Sequence, residues 1–535
     1  MKNSTPFTVY NASAGSGKTF AIVKKYLSFL FTAKRNDAYR NILAITFTNK
    51  AVEEMKTRIV ENLTAFSNGA ITKKQTVLLK AIASETGLSE TLIQQKSTAV
   101  LKSLVHNYAA FEVSTIDAFT NRVLRTFAKD LGLTMNFEVE LDEISILKEA
   151  VDRVIAKAGE NQELTKVLVD FAISKADDDK SWNIAHDLNQ IAKLLTNENN
   201  LLPLEKINSK TLSDFHDFSE KLKKACRDQK AFAKECGVEF CGLMEKNGLE
   251  VSDFNGGYLP KYFIKLQQEN FEDKYIAKWQ ETIAEKNLYS GGILKKFPKK
   301  ANLIDQLQPQ IALLFEQSKK AVMAARFYDE IRKNLTQLSL LNHIGQAVDA
   351  IKKERNLLLI SDFNKKIGQS VKNQPVPFIY ERLGERYRDY FIDEFQDTSQ
   401  LQWENLIPLI DNALSGQDEF QQSGSLTLVG DAKQAIYRWR GGKAEQFMDL
   451  CGGKSPFSVE VFSENLPSNY RSNAEIVHFN NEFFKHVSQY LNFAPHRALF
   501  ENAHQKPALP TGGYVHISFV EAENKEEKMQ AYPEK

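Results

Sequence analysis

A glycine-rich loop near the beginning of the sequence constrains the fold more than any other feature. It separates an apolar run, Phe7–Tyr10, from a segment whose apolar residues recur at helical spacing. Where such a loop joins a strand to a helix, successive backbone N–H groups and the positive end of the helix can surround a polyphosphate. Its first position is alanine, where the usual pattern has glycine. The residues of this predicted phosphate site are Ala12, Ser13, Ala14, Gly15, Ser16, Gly17, Lys18 and Thr19.

The last two residues of the loop have separate expected roles. The amine of Lys18 is expected to reach the β and γ phosphates, and the hydroxyl of Thr19 is expected to hold Mg²⁺. Gly15 and Gly17 would let the backbone approach the phosphates closely. Taken alone, the same residues are also compatible with an ordinary turn into a helix, because short motifs produce false matches.

Alternating strand and helix patterns occur in the first part of the sequence and again in the stretch from about 355 to 480. This alternation predicts an α/β fold with a parallel sheet and helical crossovers. From about 130 to 355, apolar residues recur at helical spacing, which predicts a large, mainly helical insertion into the sheet domain. The candidate strands are Phe7–Tyr10, Ile42–Thr46, Val113–Ile116, Tyr390–Asp393 and Leu426–Val429. The prolines expected near helix ends in the insertion are Pro203, Pro260, Pro298 and Pro309.

An acidic motif follows one of these strands. Residues 388–398, RDYFIDEFQDT, place two carboxylates at the carboxyl end of an apolar run, which is the binding edge of a parallel sheet. Asp393 is positioned to hold Mg²⁺, directly or through water. Glu394 is positioned to orient and deprotonate an attacking water. The competing interpretation is an acidic turn that caps a strand.

A further strand leads into a loop that mixes polar and aromatic residues, LTLVGDAKQAIYRWRGG at 426–442. Gln434 is placed to touch a γ-phosphate or a bound water. Tyr437 and Trp439 alternate with arginines, including Arg440, and so offer stacking faces beside phosphate-binding charge. For Trp439 the alternative is packing in the core. The flanking arginines count against that alternative, because buried cations need partners.

The overall charge balance restricts the possible partners. Lys plus Arg total 69 and Asp plus Glu total 68, so the net charge of +1 provides no global field that would attract nucleic acid or a membrane. Any basic surface must therefore be local. The four cysteines form neither a common zinc-ligand spacing nor a disulfide framework. Because the sequence also has no uninterrupted run of about 18 apolar residues, we expect a cytoplasmic protein without a membrane segment.

A set of six segments resembles, in order, the motifs of superfamily 1A DNA helicases of the UvrD/Rep family. They are ASAGSGKT (12–19), ILAITFTNKAVEEMKTRI (42–59), VSTIDAF (113–119), FIDEFQDTSQ (391–400), LVGDAKQAIYRWRGG (428–442) and LPSNYRS (466–472). The amino-acid sequences of several of these segments are most similar to those of the RecB and AddA branch of helicase–nuclease subunits. The resemblance implies a RecA-like P-loop domain that uses ATP and Mg²⁺ to move 3′ to 5′ on single-stranded DNA. It also implies a role in double-strand-break processing and recombinational repair, binding to DNA ends, and an AddB- or RecC-like partner subunit.

The resemblance assigns further residues to the motor. Tyr470 is expected to stack on adenine, and Arg471, supplied by a second motor domain, is expected to sense the γ-phosphate. Asp393, Glu394 and Gln434 complete the expected catalytic set. The residues expected to contact DNA are Thr46, Phe47, Asn49, Lys50, Thr115, Tyr437, Trp439 and Arg440.

The resemblance also divides the chain into domains. We expect residues 1–130 and 356–460 to form the two parts of one RecA-like domain. Residues 131–355 are expected to form a 1B-like insertion, and residues 461–535 to begin a second RecA-like domain. No segment after Arg471 resembles the family's fifth and sixth motifs. We therefore expect an amino-terminal portion that binds ATP and Mg²⁺ but is weakly active alone and does not unwind DNA.

Two other functions are compatible with parts of the sequence. The first is an ATP-switched module that holds a DNA end without translocation, which the missing motifs favour. The second is a P-loop kinase of a small molecule, which would use the phosphate loop and the two carboxylates but leave Tyr437 and Trp439 without a task. ATP hydrolysis that depends on single-stranded DNA would distinguish the helicase from both.

Overall fold

The computed structural model describes residues 6–134, 136–177, 183–372, 383, 386–418, 421–509 and 511–517. The β-strands in this part of the chain are β1 (Phe7–Ala12), β2 (Ile42–Thr46), β3 (Val113–Thr115), β4 (Glu138–Glu140), β5 (Leu357–Leu359), β6 (Asp389–Ile392), β7 (Ser425–Gly430), β8 (Val461–Leu466), β9 (Ser468–Asn469) and β10 (Lys506–Pro507). The α-helices are α1 (Lys18–Thr32), α2 (Asn49–Asn68), α3 (Lys73–Thr86), α4 (Glu90–His106), α5 (Ile116–Thr126), α6 (Glu143–Ala156), α7 (Gln162–Asp177), α8 (Ile184–Ala192), α9 (Leu201–Asn208), α10 (Leu212–Lys246), α11 (Tyr258–Gln267), α12 (Lys278–Glu281), α13 (Gly291–Lys296), α14 (Pro298–Arg355), α15 (Ile360–Lys372), α16 (Gln400–Ser415), α17 (Ala444–Cys451), α18 (Ala474–Ser488) and α19 (Ala494–Glu501).

The described residues divide into two compact units. The α/β unit comprises those within 1–143, 196–199 and 355–535, and the helical unit those within 144–195 and 200–354. This division resembles the predicted sheet domain with a helical insertion. The predicted α/β class, with a parallel sheet, is confirmed.

The α/β unit contains a parallel sheet with the strand order β3-β2-β6-β7-β1-β8. Phe7 of β1 lies opposite Leu426 of β7 on one side and Val461 of β8 on the other. Because all these strands run in the same direction, their carboxyl ends meet at one edge. The strands predicted from apolar runs are present, although β6 ends at Ile392 and so leaves Asp393 in the following turn.

Two hydrophobic cores receive alternate residues of the strands, as the two-residue period of a strand requires. In β2, Leu43 and Ile45 belong to one core, and Ile42 and Ala44 belong to the other. Helices α1 to α4 contribute to the second core, and α5, α15, α16 and α17 to the first. Each large apolar side chain buried in this way contributes about 1.5–3 kcal/mol. Burial on both faces explains why the strands read as continuous apolar runs.

Strand β8 was not predicted, because its sequence, VFSENL, is largely polar and exposed. It is nevertheless paired with β1 along its full length, at the edge of the sheet. It begins at Val461, where the sequence analysis expects a second domain to start, and its pairing places it in the first sheet. For the residues after β8, assignment to a second motor domain stays a prediction.

The described residues of the helical unit include all but the last residue of the 58-residue helix α14. Pro309 lies inside this helix, so its expected position near a helix end is wrong. A proline in a helix interior costs about 3 kcal/mol, but Ile304, Ile311 and Phe315 of the same helix are buried in the core of the unit. Their burial offsets the cost. Among the described residues, no helix, α14 included, is long and apolar enough to cross a membrane.

We predict that Asp389 makes the stability of the α/β unit depend on pH. Asp389 is 5% exposed, and its Oδ1 accepts a hydrogen bond of 2.6 Å from Ser425 Oγ. Burial raises the pKa of this carboxyl from 3.8 to about 7. Between pH 3.8 and about 7, the folded state therefore keeps a proton that the unfolded state has lost. The free energy of unfolding falls as pH rises through that range.

The substitution Asp389→Asn removes this titration. Relative to the unsubstituted protein, the free energy of unfolding of the variant should rise by roughly 1–3 kcal/mol between pH 5 and pH 8, measured by chemical denaturation. The same change at the exposed Asp130 is the matched control. If the free energy of unfolding depends on pH equally in the unsubstituted protein and in the Asp389 variant, Asp389 is not the group responsible.

Candidate nucleotide site and aromatic surface

The phosphate loop lies between β1 and α1, as predicted. Gly15 and Gly17 have φ values of 79° and 87°, in the left-handed region that favours glycine. A Cβ on Gly15 would lie 2.7 Å from Asn469 Oδ1, so a side chain there would also collide with a neighbour. Ala12 is the last, fully buried residue of β1 and has no positive φ, which explains why alanine serves at this position.

Unused hydrogen-bonding groups in the loop fit a bound phosphate. Gly17 is the N-cap of α1, and within the described part of the chain no side chain caps the helix there, so the first-turn N–H groups lack a capping acceptor. The hydroxyl of Ser16 is buried and has no hydrogen-bond partner among the described residues. A polyphosphate would supply acceptors to these groups and charge opposite to the helix dipole.

The amine of Lys18 joins the loop to two other strand ends. It donates to both carboxylate oxygens of Glu394, each at 2.8 Å, and to Oε1 of Gln434 at 3.3 Å. The carboxylate of Glu394 thus lies beside the amine that is expected to reach the β and γ phosphates. The structure therefore brings three residues of the predicted nucleotide site together at one amine.

Backbone geometry after β6 directs Glu394 toward this amine. Glu394 has a φ of 52°, which is uncommon for a residue with a side chain and turns the chain sharply at the strand end. Its N–H donates to Asp393 Oδ1 at 3.0 Å, and its carboxylate accepts from Gln396 Nε2 at 2.7 Å. These contacts hold the carboxylate of Glu394 against the amine of Lys18.

Asp393 directly follows the carboxyl end of β6, where its N–H donates to the carbonyl of Ile45 at 2.9 Å. Burial, followed by the charge of the adjacent Glu394, raises the pKa of Asp393 to about 6. A bound divalent cation would favour the ionised form. The described residues contain no cluster of three or more His, Cys, Asp or Glu side chains suited to a metal ion. One carboxylate and the hydroxyl of Thr19 fit Mg²⁺ that takes further oxygens from phosphate and water.

The loop after β7 begins inside this site. The buried carboxylate of Asp431 accepts from Lys433 Nζ at 2.7 Å and from Gln434 Nε2 at 2.6 Å. The N–H of Asp431 donates to Oε1 of Gln396 at 2.9 Å. Gln396 therefore connects the carboxylate of Glu394 with this loop. Sequence reasoning gave no role to Gln396 or Asp431, although both lie within the motifs that carried the resemblance.

The same loop ends in a cluster that we call the aromatic surface, formed by Phe47, Tyr437, Trp439 and Arg440. The ring centroids of Phe47 and Tyr437 are 4.4 Å apart, and those of Tyr437 and Trp439 are 6.3 Å apart. The guanidinium of Arg440 lies 5.7 Å from the centroid of Phe47. Trp439 is 74% exposed, so packing in the core is excluded for this side chain. The exposed ring of Trp439, next to the half-buried rings of Phe47 and Tyr437 and a cation, suits stacking with nucleobases.

The other residues predicted to contact DNA differ in exposure. Asn49 and Lys50 are exposed at the start of α2. Thr46 is 1% exposed, and its hydroxyl donates to the carbonyl of Thr48. The hydroxyl of Thr115 caps α5 by accepting from the N–H of Ala118. The side chains of Thr46 and Thr115 thus have structural roles, and contact between these residues and DNA stays a prediction.

Residues 469–471 lie against the phosphate loop. The N–H of Tyr470 donates to the carbonyl of Gly15 at 2.8 Å, and the Tyr470 side chain is 65% exposed. Asn469 donates to the carbonyl of Ala14, and its Oδ1 accepts from the N–H of Arg471. Asn469, which sequence reasoning missed, therefore fixes this segment beside the loop. The stacking role of Tyr470 and the phosphate-sensing role of Arg471 stay predictions.

Comparison with known proteins is consistent with this geometry. The family model described as the UvrD/REP helicase N-terminal domain matches residues 2–452. The AddA component of the ATP-dependent helicase/nuclease of Natranaerobius thermophilus is 23% identical over 506 residues, which cover 89% of this chain and 36% of that protein. The protein of the same name from Clostridium botulinum is 25% identical over 516 residues, or 89% of this chain and 38% of that protein.

The RecB component of the RecBCD enzyme of Buchnera aphidicola is 26% identical over 539 residues, which cover 95% of this chain and 40% of that protein. The aligned part of each of these relatives is less than half of its length. The predicted similarity to the RecB and AddA branch is confirmed by these matches. Because the family model covers most of the sequence, the chain belongs to the UvrD/REP helicase family.

Proposed function

We propose that the chain is the ATP-driven motor portion of a DNA helicase subunit that moves 3′ to 5′ along single-stranded DNA. The observation that carries this proposal is a single loop, 431–442, that takes part in both candidate sites. Gln434 contacts the amine of Lys18, whereas Tyr437 and Trp439 belong to the aromatic surface. A change at the nucleotide site would therefore alter the grip on DNA through a few residues of one segment.

The residues around the phosphate loop have complementary proposed tasks in ATP hydrolysis. Lys18 and the backbone N–H groups would hold the phosphates, and Thr19 and Asp393 would hold Mg²⁺, which neutralises charge on the phosphates when bound. Glu394 would leave the amine of Lys18 and take a proton from the attacking water. Gln434 would contact the γ-phosphate.

The segment beside the phosphate loop supplies two further proposed contacts. Tyr470 would stack on adenine, since its ring is exposed while its backbone is held against Gly15. Arg471 would sense the γ-phosphate, a task that suits a fixed and permanently charged guanidinium.

The biological setting is part of the proposal. The relatives are named as parts of a helicase/nuclease and of the RecBCD enzyme. We therefore assign the chain to double-strand-break processing and recombinational repair in the cytoplasm, with an AddB- or RecC-like partner.

The motor should hydrolyse ATP faster with single-stranded DNA and displace a bound protein ahead of it. ATP-dependent DNA binding without displacement would favour a module that holds DNA ends.

We predict that Lys18→Ala weakens ATP binding by roughly 10- to 100-fold. The substitution removes a charged hydrogen-bond donor, and such bonds contribute about 1.5–3 kcal/mol. Nucleotide affinity can be measured with a fluorescent ATP analogue and Mg²⁺. Lys80→Ala, at an exposed position of α3, is the control and should leave affinity unchanged. Equal affinity in the Lys18 variant and the control would exclude Lys18 from the phosphate site.

We predict a different result for Glu394→Gln. Glutamine keeps the shape of the side chain but cannot accept the proton, so kcat should fall by about 10²- to 10⁴-fold while ATP binding persists. Steady-state hydrolysis and analogue binding, measured on the same sample, separate the two effects. The control is Glu404→Gln, an exposed position of α16. Unchanged turnover in the Glu394 variant would contradict its role as the base.

We predict that Trp439→Ala weakens binding to single-stranded DNA by about 5- to 150-fold, because stacking of one base on an aromatic ring contributes about 1–3 kcal/mol. Fluorescence anisotropy of a labelled oligothymidylate measures this loss. ATP affinity should be unchanged. Phe327→Ala removes an exposed ring from α14 and is the matched control. If both variants lose the same affinity, the aromatic surface is not the DNA site.

A further inference from the structure

A short segment, 196–199, belongs to the α/β unit although the chain before and after it belongs to the helical unit. The carboxylate of Glu198 in this segment accepts two hydrogen bonds. The donors are Nδ2 of Asn364, at 2.7 Å, and Oγ of Ser399. Asn364 is 3% exposed and Ser399 is 2% exposed. Glu198 therefore satisfies two buried donors that would otherwise lack this acceptor.

Hydrogen bonds lead from Ser399 to the aromatic surface. Ser399 begins α16 in a capping box with Gln402, in which each side chain accepts from the backbone N–H of the other residue. Nε2 of Gln402 donates to Asp117 Oδ1 at 3.2 Å. Nη2 of Arg440 donates to Asp117 Oδ2, also at 3.2 Å. The orientation of Arg440 thus depends on residues that are fixed, in turn, by Ser399 and Glu198.

A second set of contacts fixes the end of the loop that carries Trp439. Nδ2 of Asn199 donates to the carbonyl of Gly441 at 3.4 Å. Gly442 forms an isolated antiparallel bridge with Ser399, the same serine that Glu198 holds. A Cβ on Gly442 would lie 3.0 Å from the carbonyl oxygen of Asp397, so the backbone segments are closely packed. The 196–199 segment therefore reaches the aromatic surface through side chains and through backbone.

The guanidinium of Arg440 balances the negative charge of the carboxylates in this network. Burial raises the pKa of Glu198, and the neighbouring carboxylate of Asp117 adds to this effect. Burial likewise raises the pKa of Asp117, which the guanidinium of Arg440 opposes. Two carboxylates in a partly buried network need a cation nearby. Arg440 supplies it while it also lies over the ring of Phe47.

We propose that Glu198 is a positioning residue for single-stranded DNA: by holding Ser399, it fixes Arg440 and the backbone of the loop that presents Trp439. This inference rests on the proposed function, because it concerns the same DNA surface. None of the sequence motifs includes Glu198. It lies within the stretch that the sequence analysis assigned to the helical insertion.

The first test needs no DNA. Hydrogen–deuterium exchange of the full chain should be faster at residues 437–443 in Glu198→Ala than in the unsubstituted protein, because the N–H groups of Gly442 and Lys443 bond within this loop and to Thr398. Glu198→Gln keeps one acceptor oxygen and should give a smaller increase. Glu205→Ala, at an exposed position of α9, should give none. Unchanged exchange at 437–443 in Glu198→Ala overturns the proposal.

The second test measures binding of a labelled oligothymidylate by the same proteins. Glu198→Ala should raise Kd for the oligothymidylate by about fivefold or more and leave ATP affinity unchanged. In a protein that already lacks the side chains of Trp439 and Arg440, the same substitution should have little further effect on Kd. If Glu198→Ala weakens DNA binding by the same factor with and without those two side chains, the proposal is overturned. If the unsubstituted chain binds no single-stranded DNA, the proposed function fails, and the exchange measurement still decides whether Glu198 positions the loop.

Discussion

The ion pair between Lys18 and Glu394 is the interaction on which the organisation of the site depends. Its partners are separated by 376 positions in the sequence, and they meet only because β1 and β6 belong to one parallel sheet. The side chains are 13% and 32% exposed, so the pair is partly removed from water. Removing one partner of such a pair is destabilising, because the other charge loses its compensation. The amine of Lys18 also contacts Gln434, and three strand ends therefore converge on one cation.

This convergence explains how a nucleotide site and a surface for nucleic acid can be coupled without a long pathway. A phosphate would compete with Glu394 for the amine and so free the carboxylate to act as a base. Gln396 bonds both to Glu394 and to the backbone of Asp431, so movement of the carboxylate acts on the start of the 431–442 loop. The end of that loop presents Trp439. The network around Glu198 contacts that end of the loop, so both ends of the segment are held by hydrogen bonds.

The sequence predicted those features that depend on local pattern. The central strands follow from apolar runs buried on both faces, and the phosphate loop follows from spacing between strand and helix. The rest depends on contacts between distant residues. The polar edge strand β8 is recognisable only by its pairing with β1, and Pro309 is tolerated because its helix packs in a core. The burial of Thr46 and the hydrogen bonds of Gln396 and Glu198 are set by tertiary structure, which no short motif encodes.

The most direct measurement of the central claim is the affinity for single-stranded DNA with and without a non-hydrolysable ATP analogue and Mg²⁺. If the 431–442 loop couples the two sites, the analogue should change Kd for DNA by about 5- to 150-fold, the range that a coupling free energy of 1–3 kcal/mol produces. The change should disappear in Gln434→Ala, in which the loop no longer contacts the amine of Lys18 through this side chain. An unsubstituted chain that binds both ligands, each with an affinity independent of the other, would contradict the account.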